Sequence, residues 1–377
     1  MVSQPRLPRF GRALSVSAAL LALAAIAILF AALRESSESP YRPVVMEEPL
    51  LVFAEFGSTV DKILIAPAAN PESLTLIQSV PHADGWGINP APEMVAGRTA
   101  FTVLPSDIQP DRSSAAELWV LDIKTTSKVR LARDADLLVA PILREDGGIL
   151  VYRRTEDSGA QSLIRVDLET RTRRVLHTDQ SEFGVFPIGF DEKGNLLFTR
   201  ISPSGTDLLR VTESSNLEVL LHASDEIARD WTVAPDGNAV AFVTPVLERE
   251  QIIHQAQIVS LNEGNITAPV DTSQGEQYSP RWRYDGSLAI GCSTNSSSGS
   301  APIVITASEK IILPAAPVGF DVPLGWSVDG TYLAVRHFSG TGSRDPGDET
   351  LVIFGGASTR VEITATSDLL FLGWSGA

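Results

Sequence analysis

The sequence predicts an all-β fold, a seven-bladed β-propeller preceded by a single N-terminal transmembrane helix. Three observations predict the propeller. A glycine recurs with a period of about 47 residues, a hairpin of two apolar strands recurs seven times, and an apolar segment without a partner strand ends the chain. Self-similarity at a fixed period of roughly 40–50 residues is typical of architectures built from repeated units.

The recurring glycine marks a turn between two strands. Its copies are separated by 47, 43, 49 and 44 residues, and four of the five follow an aspartate while one follows Lys193. Glycine adopts the positive φ that a tight turn requires, and an aspartate side chain can bond the turn backbone. The five copies are Gly147, Gly194, Gly237, Gly286 and Gly330.

The recurring hairpin consists of an apolar strand, a polar turn and a second apolar strand. A further strand pair lies ahead of six of the seven hairpins, which makes four strands in each repeat. Four strands that cannot bury both faces alone are typical of a propeller blade. The seven hairpins lie at 62–77, 117–132, 163–176, 208–221, 256–270, 302–314 and 350–364.

The two ends of the propeller predict how the ring closes. The first hairpin is preceded by only one strand, LLVFAEF (50–56), whereas the chain ends with the orphan strand LLFLGW (369–374). We therefore expect a propeller over residues 50–377 whose first blade is completed by the C-terminal strand. Five of its side chains are expected to be buried between blades: Leu369, Leu370, Phe371, Leu372 and Trp374.

The N-terminus predicts a membrane anchor. Residues 13–33 form an uncharged run of 21, and about 20 apolar residues span the hydrocarbon layer. Three arginines precede the run, so the positive-inside rule predicts a cytoplasmic stub over 1–12. A Ser-, Pro- and Glu-rich linker over 34–49 then leads to a propeller outside the cell membrane, periplasmic or extracellular.

A secretory signal peptide is the alternative interpretation of the same run. An Ala-x-Ala pattern stands at 25–27, where a signal peptidase could cleave. A core of 21 residues is long for a signal peptide, so its length favours an anchor or an uncleaved signal.

Charge and cysteine content exclude two kinds of chemistry. Residues 35–377 carry 26 basic and 46 acidic residues, a net charge of −20, which repels phosphate backbones and argues against nucleic-acid binding. Cys292 is the only cysteine, so no disulfide forms within the chain. It lies in the apolar strand LAIGC, which predicts a buried rather than a reactive thiol.

Two turn motifs carry a resemblance to a known family. WRYDGSLAIG and WSVDGTYLAV, with the third-strand segments LWVLDIKT and LIRVDLET, resemble the TolB-like, WD-repeat-like propellers of bacterial envelope proteins over about residues 50–377. The resemblance implies the fold more than a function. TolB-like periplasmic proteins carry an α/β domain before the propeller, so TolB itself is not expected here. The G-x-S-x-G elbow of propeller-bearing hydrolases is absent from the sequence.

Propeller topology separates two faces. The turns that join first to second strands and third to fourth strands lie on one face, here called the tight-turn face. Connections from second to third strands and from blade to blade share the other, the long-loop face, where we expect function to reside. Its predicted long loops are 104–117, 244–257, 293–301 and 337–349, and its histidines are His82, His177, His222, His254 and His337.

The resulting functional prediction is a non-catalytic scaffold that binds a protein or an envelope polymer, or an accessory subunit of a membrane complex. The alternative is a propeller-channel enzyme of the lyase or lactonase type, with His177 and His222 as candidate catalytic residues. No H-x-H or H-E-x-x-H spacing occurs, so neither a metal nor a cofactor is predicted. The repeated tryptophans are expected to pack between blades, with a ligand platform as the alternative.

Overall fold

The computed structural model describes residues 48–376 except 112–113, 182, 249–250, 295–297, 356–358 and 364–367. Within these residues the chain forms seven four-stranded antiparallel sheets, which confirms the predicted seven-bladed propeller. The predicted stub (1–12) and anchor (13–33), and all of the linker before residue 48, lie outside the described residues. No helix in the described part is long and apolar enough to cross a membrane.

The first three blades contain the strands nearest the N-terminus. Blade 1 consists, from first to fourth strand, of β28 (Leu369–Ser375), β1 (Leu50–Glu55), β2 (Val60–Pro67) and β3 (Thr75–Pro81). Blade 2 consists of β4 (Asn89–Pro90), β5 (Arg98–Val103), β6 (Ala116–Asp122) and β7 (Ser127–Ala135). Blade 3 consists of β8 (Ile142–Leu143), β9 (Ile149–Thr155), β10 (Gln161–Asp167) and β11 (Arg173–Asp179).

The remaining blades follow in chain order. Blade 4 consists of β12 (Gly184–Phe190), β13 (Leu196–Ser202), β14 (Gly205–Val211) and β15 (Leu217–Ser224). Blade 5 consists of β16 (Arg229–Val233), β17 (Ala239–Glu248), β18 (Gln251–Ser260) and β19 (Ile266–Thr267). Blade 6 consists of β20 (Glu276–Trp282), β21 (Leu288–Ser293), β22 (Ile303–Ile305) and β23 (Lys310–Ile312), and blade 7 of β24 (Phe320–Trp326), β25 (Tyr332–Phe338), β26 (Glu349–Gly355) and β27 (Thr359–Ile363).

The first strands surround a common axis, and the fourth strands form the rim. Each first strand from blade 3 onward contacts the first strand of the next blade, in the order β8, β12, β16, β20, β24 and β28. A short 3₁₀ helix, Thr272–Gln274, lies in the crossing from blade 5 to blade 6. Because the blades stack face to face, the apolar core lies between neighbouring sheets rather than within one.

The Asp-Gly turns form as the sequence predicts. All five repeat glycines have positive φ, between 67° and 81°. In the turn of blade 5, Asp236 Oδ1 accepts a hydrogen bond from the Asn238 N–H at 3.0 Å. In the copy that has lysine before glycine, Asp191 Oδ1 accepts hydrogen bonds from the backbone N–H groups of Lys193 and Asn195. The motif therefore encodes the first-to-second turn of a blade.

The tryptophans join adjacent blades by hydrogen bonds as well as by packing. In three blades the indole Nε1–H donates to a backbone carbonyl in the first strand of the preceding blade. The bonds run from Trp282 to Thr232 (3.4 Å), from Trp326 to Arg281 (3.2 Å) and from Trp374 to Gly325 (3.0 Å). Each indole also packs in an apolar cluster that spans both blades, which confirms the predicted interblade role.

Trp231 contributes to the core in another way. Its ring stacks on Phe242 at 4.3 Å, and its Nε1–H donates to Ala228 of its own blade. Trp231 stands six residues before the turn glycine Gly237, whereas the tryptophans of blades 6 and 7 stand four residues before theirs. It still packs among side chains of blades 4 and 5.

The C-terminal strand closes the ring. β28 pairs antiparallel with β1, with Leu51 opposite Trp374, and extends one residue beyond the predicted 369–374. Leu372 and Trp374 are buried as expected. The expectation of full burial is wrong for the other three side chains, which are half-buried. A first strand borders the axis of the ring, so it is covered less completely than a strand inside a blade. The three are Leu369, Leu370 and Phe371.

Deletion of residues 369–377 should abolish the cooperative unfolding of the propeller. Burial of a large apolar side chain stabilises a fold by about 1.5–3 kcal/mol, against a total stability of about 5–15 kcal/mol. Circular dichroism of the full chain and the truncated chain, followed on heating, measures the effect. Deletion of 376–377 alone keeps β28 whole and should leave the transition within about 2 °C. An unchanged melting curve for the longer deletion would contradict the closure.

Candidate functional site

A projecting hairpin distinguishes blade 5 from the other blades on the long-loop face. The prediction of a loop over 244–257 is wrong, because β17 continues to Glu248 and β18 begins at Gln251. The two strands stay in one continuous register to their tips. Pro245 lies within β17, where a proline is tolerated because its missing N–H would face away from the partner strand.

The outer part of this hairpin, residues 244–255, is here called the ribbon. Its neighbour on the axis side, β16, pairs with β17 only as far as Val243. On the rim side, β19 pairs with β18 only at Ile258 and Val259. Among the described residues, therefore, no third strand accompanies the ribbon. A two-stranded β-ribbon extends from the rigid ring.

The ribbon carries an uncovered apolar pair. Leu247 lies directly opposite Ile252, and their exposed fractions are 75% and 63%. The value for Leu247 exceeds that of every other large apolar side chain in the described part of the chain. Strand alternation places both side chains on the same face as His254. Exposed apolar surface on a rigid element is typical of a binding site.

Side chains from three blades meet at the base of the ribbon, around the carboxylate of Glu276. His254 Nδ1 of blade 5 donates to Glu276 Oε1 at 2.6 Å, and Tyr278 Oη of blade 6 donates to Oε2 at 2.6 Å. Ser343 Oγ from the long loop of blade 7 lies 3.0 and 2.9 Å from the two carboxylate oxygens. Glu276 itself is buried. The four residues are here called the Glu276 cluster.

The Glu276 cluster is consistent with an ionised carboxylate. Burial alone raises the pKa of Glu276, but hydrogen bonds from Tyr278, His254 and Ser343 outweigh it and hold the pKa below its ordinary value. Burial, together with the carboxylate, raises the pKa of the Tyr278 phenol, which therefore stays protonated and donates. With its Nδ1–H donated to Glu276, a neutral His254 keeps a lone pair on Nε2.

The long loop of blade 7 is held across blade 6. Besides the contact of Ser343 with Glu276, Ser293 Oγ donates to the Thr341 carbonyl at 2.5 Å. Inside the loop, the Gly340 N–H donates to the Pro346 carbonyl at 2.8 Å. The loop and the base of the ribbon are thus fixed to the same strand, β20.

Two of the five histidines that the sequence places on the long-loop face are buried, each in contact with an aspartate. His82 Nε2 lies 3.0 Å from Asp61 Oδ1, and neither side chain reaches solvent. His337 Nδ1 lies 2.8 Å from Asp321 Oδ1, also in the interior. Both pairs lie toward the long-loop ends of their strands, as predicted, and they link neighbouring segments of one blade.

His177, one of the two candidate catalytic residues, lies on β11 at the rim of blade 3. Its Nε2 is 3.3 Å from Asp179 Oδ2, and its ring packs against Phe198 of blade 4 at 5.3 Å. The side chain is mostly buried between the two blades. The first strands, which surround the axis, stand three strands away.

His222, the second candidate, lies on β15 at the rim of blade 4. Its Nδ1 is 2.8 Å from Asp207 Oδ1, and its Nε2 is 3.1 Å from Asp225 Oδ1. Hydrogen bonds to Asp207 first and Asp225 second raise the pKa of the imidazole above 6.5. Both ring nitrogens already face carboxylates, and no hydrogen bond or ion pair between described residues joins His222 to His177.

Neither metal binding nor thiol chemistry is indicated elsewhere in the described residues. They contain no group of three or more His, Cys, Asp or Glu side chains arranged to hold a metal ion. Cys292 is buried in β21, and burial raises the pKa of its thiol to about 12. The predicted burial of Cys292 is confirmed.

Three solved structures that match this chain support the propeller fold. No protein-family model and no curated protein sequence matches the chain. TolB from Acinetobacter baumannii matches with a TM-score of 0.50 and 14% identity, over 87% of this chain and 66% of that one. Oligogalacturonate lyase from Vibrio parahaemolyticus matches with a TM-score of 0.55 and 14% identity, over 83% and 84%. The shared feature is the propeller fold.

A third match concerns how a propeller ring closes. The propeller domain of the Trilobed protease from Pyrococcus furiosus matches with a TM-score of 0.56 and 13% identity, over 86% of this chain and 97% of that one. That domain has an open velcro topology, whereas β28 and β1 pair here. At these identities the matches confirm the resemblance to TolB-like propellers for the fold alone. The chain spans slightly less than two thirds of the TolB structure.

Sequence reasoning missed three members of the Glu276 cluster. Glu276 and Tyr278 stand at the start of β20, before the Trp-x-x-Asp-Gly motif that begins at its last residue, Trp282, and Ser343 lies in a long loop rich in glycine and serine. The separation between Glu276 and Ser343 is 67 residues. No spacing rule connects residues at that distance, and only the ring of blades brings them together. The sequence does indicate His254, because all five histidines are predicted on the long-loop face.

The imidazole of His222 should titrate above 6.5, and the Asp207→Asn variant should lower its pKa more than Asp225→Asn does. A raised pKa in the folded protein stabilises it fully below the unfolded-state value, and this contribution disappears as the pH rises through the folded-state pKa. NMR titration of the histidine ring protons measures both values. Equal effects of the two substitutions, or a pKa below 6.5, would show that Asp207 is not the main partner.

Proposed function

We propose that this protein is a membrane-anchored, extracytoplasmic scaffold that binds a partner protein with its long-loop face and performs no chemistry itself. The ribbon is the observation that carries the proposal. It presents Leu247 and Ile252 to solvent on an element whose two strands are paired in continuous register. Contact with a partner protein would cover this apolar pair, which no described residue covers.

The energetics of the ribbon suit a protein interface. Full burial of a leucine or isoleucine side chain contributes about 1.5–3 kcal/mol, so two such residues can act as anchors of a binding surface. The Glu276 cluster fixes the base of the ribbon through His254 before any partner arrives. Less conformational freedom is then lost on binding, which favours affinity.

The position of the propeller outside the membrane rests on the sequence. The uncharged run over 13–33 and the arginines before it support an anchor with the N-terminus inside. The chain enters the propeller at Leu50, at the tight-turn end of β1. A tether attached at this end would leave the long-loop face free to meet a partner.

A lyase or lactonase that uses His177 and His222 stays the alternative prediction. It would require both imidazoles to meet one ligand, whereas they stand on the rims of different blades with separate carboxylates. A cavity of about 60 Å³ lies between blade 7 and the closing strand, and its lining includes Arg336, Glu349 and Asp368 but no histidine. The geometry therefore favours binding over catalysis.

Replacement of Leu247 and Ile252 together by serine should weaken partner binding at least tenfold. The two side chains lose their apolar contact area while the strand pairing of the ribbon is kept. A photo-crosslinking amino acid at position 247, in cells that express the full chain, identifies the partner. Binding of the purified partner to the full chain and to the double variant is then measured in detergent.

Val328 provides the matched control. Its exposed fraction is 57%, but it lies in the first-to-second turn of blade 7, on the tight-turn face. Val328→Ser should leave the affinity within twofold, and a crosslinker at 328 should not capture the same partner. Equal crosslinking at both positions, or an unchanged affinity for the double variant, would overturn the scaffold proposal.

A further inference from the structure

The rim edge of the ribbon is left open by the sequence that follows β18. β19 covers this edge at Ile258 and Val259 and ends at Thr267. Pro269 follows two residues later, and a proline cannot donate the N–H that a continuing ladder requires. β18 itself extends in the opposite direction to Gln251, seven residues beyond the last position that β19 covers. An exposed strand edge is a template for pairing with another chain.

One hydrogen bond establishes which backbone groups face this edge. The Ala256 N–H donates at 2.9 Å to the side-chain carbonyl of Gln277, which comes from blade 6 rather than from β17. In an antiparallel pair, the N–H and C=O of one residue point to the same side, and successive residues alternate. Ile252 and His254 therefore present their N–H and C=O groups to the open edge, whereas Ile253 and Gln255 face β17.

Gln277 blocks the rim edge of β18 at Ala256. Its side chain satisfies Ala256 with its oxygen, and its amide nitrogen lies 3.3 Å from the Val270 and Asp271 carbonyls. The side chain is fully buried. The hydrogen bonds of Gln277 thus occupy the edge at Ala256. From His254 toward the tip the edge is open, and the exposed side chain of Ile252 lies in this open part.

Two carboxylates lie near the base of the edge, and the exposed one, Asp271, has Lys310 in its vicinity. Asp271 is exposed in the crossing beside Gln277, and its carboxylate is held by the Ser273 N–H at 2.8 Å. Glu276 lies at the base of the same strand pair, within hydrogen-bond distance of His254. The chain as a whole carries a net charge of −16. A cationic segment would be attracted to this edge, and an acidic one repelled.

We propose that an extended, basic segment of the partner protein adds to β18 at Ile252 and His254 as a further strand of blade 5. This inference rests on the proposed scaffold function and names the chemistry of its partner. Backbone hydrogen bonds from two residues align the segment, and an apolar side chain of the segment packs on Ile252, the cross-strand neighbour of Leu247. Specificity then comes from the alternation of apolar and basic side chains, as in other cases of strand addition.

Ile252→Pro tests the strand addition. It removes the N–H that faces the open edge while leaving the groups that pair with β17, so blade 5 should fold. The probe is a capped nine-residue peptide of alternating lysine and valine, titrated against the full chain in detergent. We expect Ile252→Pro to weaken its binding at least tenfold, whereas Ile252→Val, which keeps the N–H, should stay within twofold.

Two further probes keep the test decisive if Ile252→Pro does not fold. A peptide in which alternate backbone nitrogens are methylated cannot pair with the edge and should bind at least tenfold more weakly to the unaltered protein. Hydrogen exchange with fragment resolution should show slower exchange of the Ile252 and His254 amides when the unmethylated peptide is bound. Equal binding of the methylated peptide, or no change in exchange, would overturn the strand addition.

The charge preference has its own control. A peptide with glutamate in place of lysine should bind at least tenfold more weakly, and equally tight binding would overturn the basic partner. These outcomes are separate from the scaffold proposal. If the Leu247 and Ile252 double variant loses the natural partner while Ile252→Pro keeps the lysine peptide, the ribbon binds a protein but not by strand addition.

Discussion

The pairing of the two ends of the propeller is the constraint on which the other features depend. Each blade buries its apolar faces only against its neighbours, so a ring without its last contact would expose two faces at once. β28 removes that exposure by pairing with β1, and Trp374 extends the contact to blade 7 by its bond to Gly325. The β28–β1 pairing thereby joins the first and last blades of this ring.

The closed ring allows distant residues to form one polar cluster. Glu276 accepts hydrogen bonds from His254 of blade 5, Tyr278 of its own strand and Ser343 of blade 7. A buried carboxylate is costly unless such donors satisfy it, and here they hold its pKa below the ordinary value. The cluster thereby couples the ribbon and the long loop of blade 7 to a single strand of the frame.

The ribbon shows how a repeated unit acquires an individual surface. Blade 5 keeps the four-stranded pattern of its neighbours, and its second and third strands simply continue beyond the ring. A free β-edge favours unwanted pairing, and proteins usually block it. Pro245 and the Gln277–Ala256 hydrogen bond do so in part. The open remainder, next to the exposed Leu247 and Ile252, is therefore the most distinctive surface of the described residues.

The sequence by itself determined the blade count, the Asp-Gly turns and the closing strand, because a period of two along strands and a period of about 47 between turns are local patterns. It misjudged 244–257 as a loop, whereas β17 and β18 stay paired as far as Glu248 and Gln251. Only the tertiary structure placed His177 and His222 on separate rims and brought Ser343 to Glu276. Such contacts depend on how the blades are arranged around the ring, and no spacing along the chain records that arrangement.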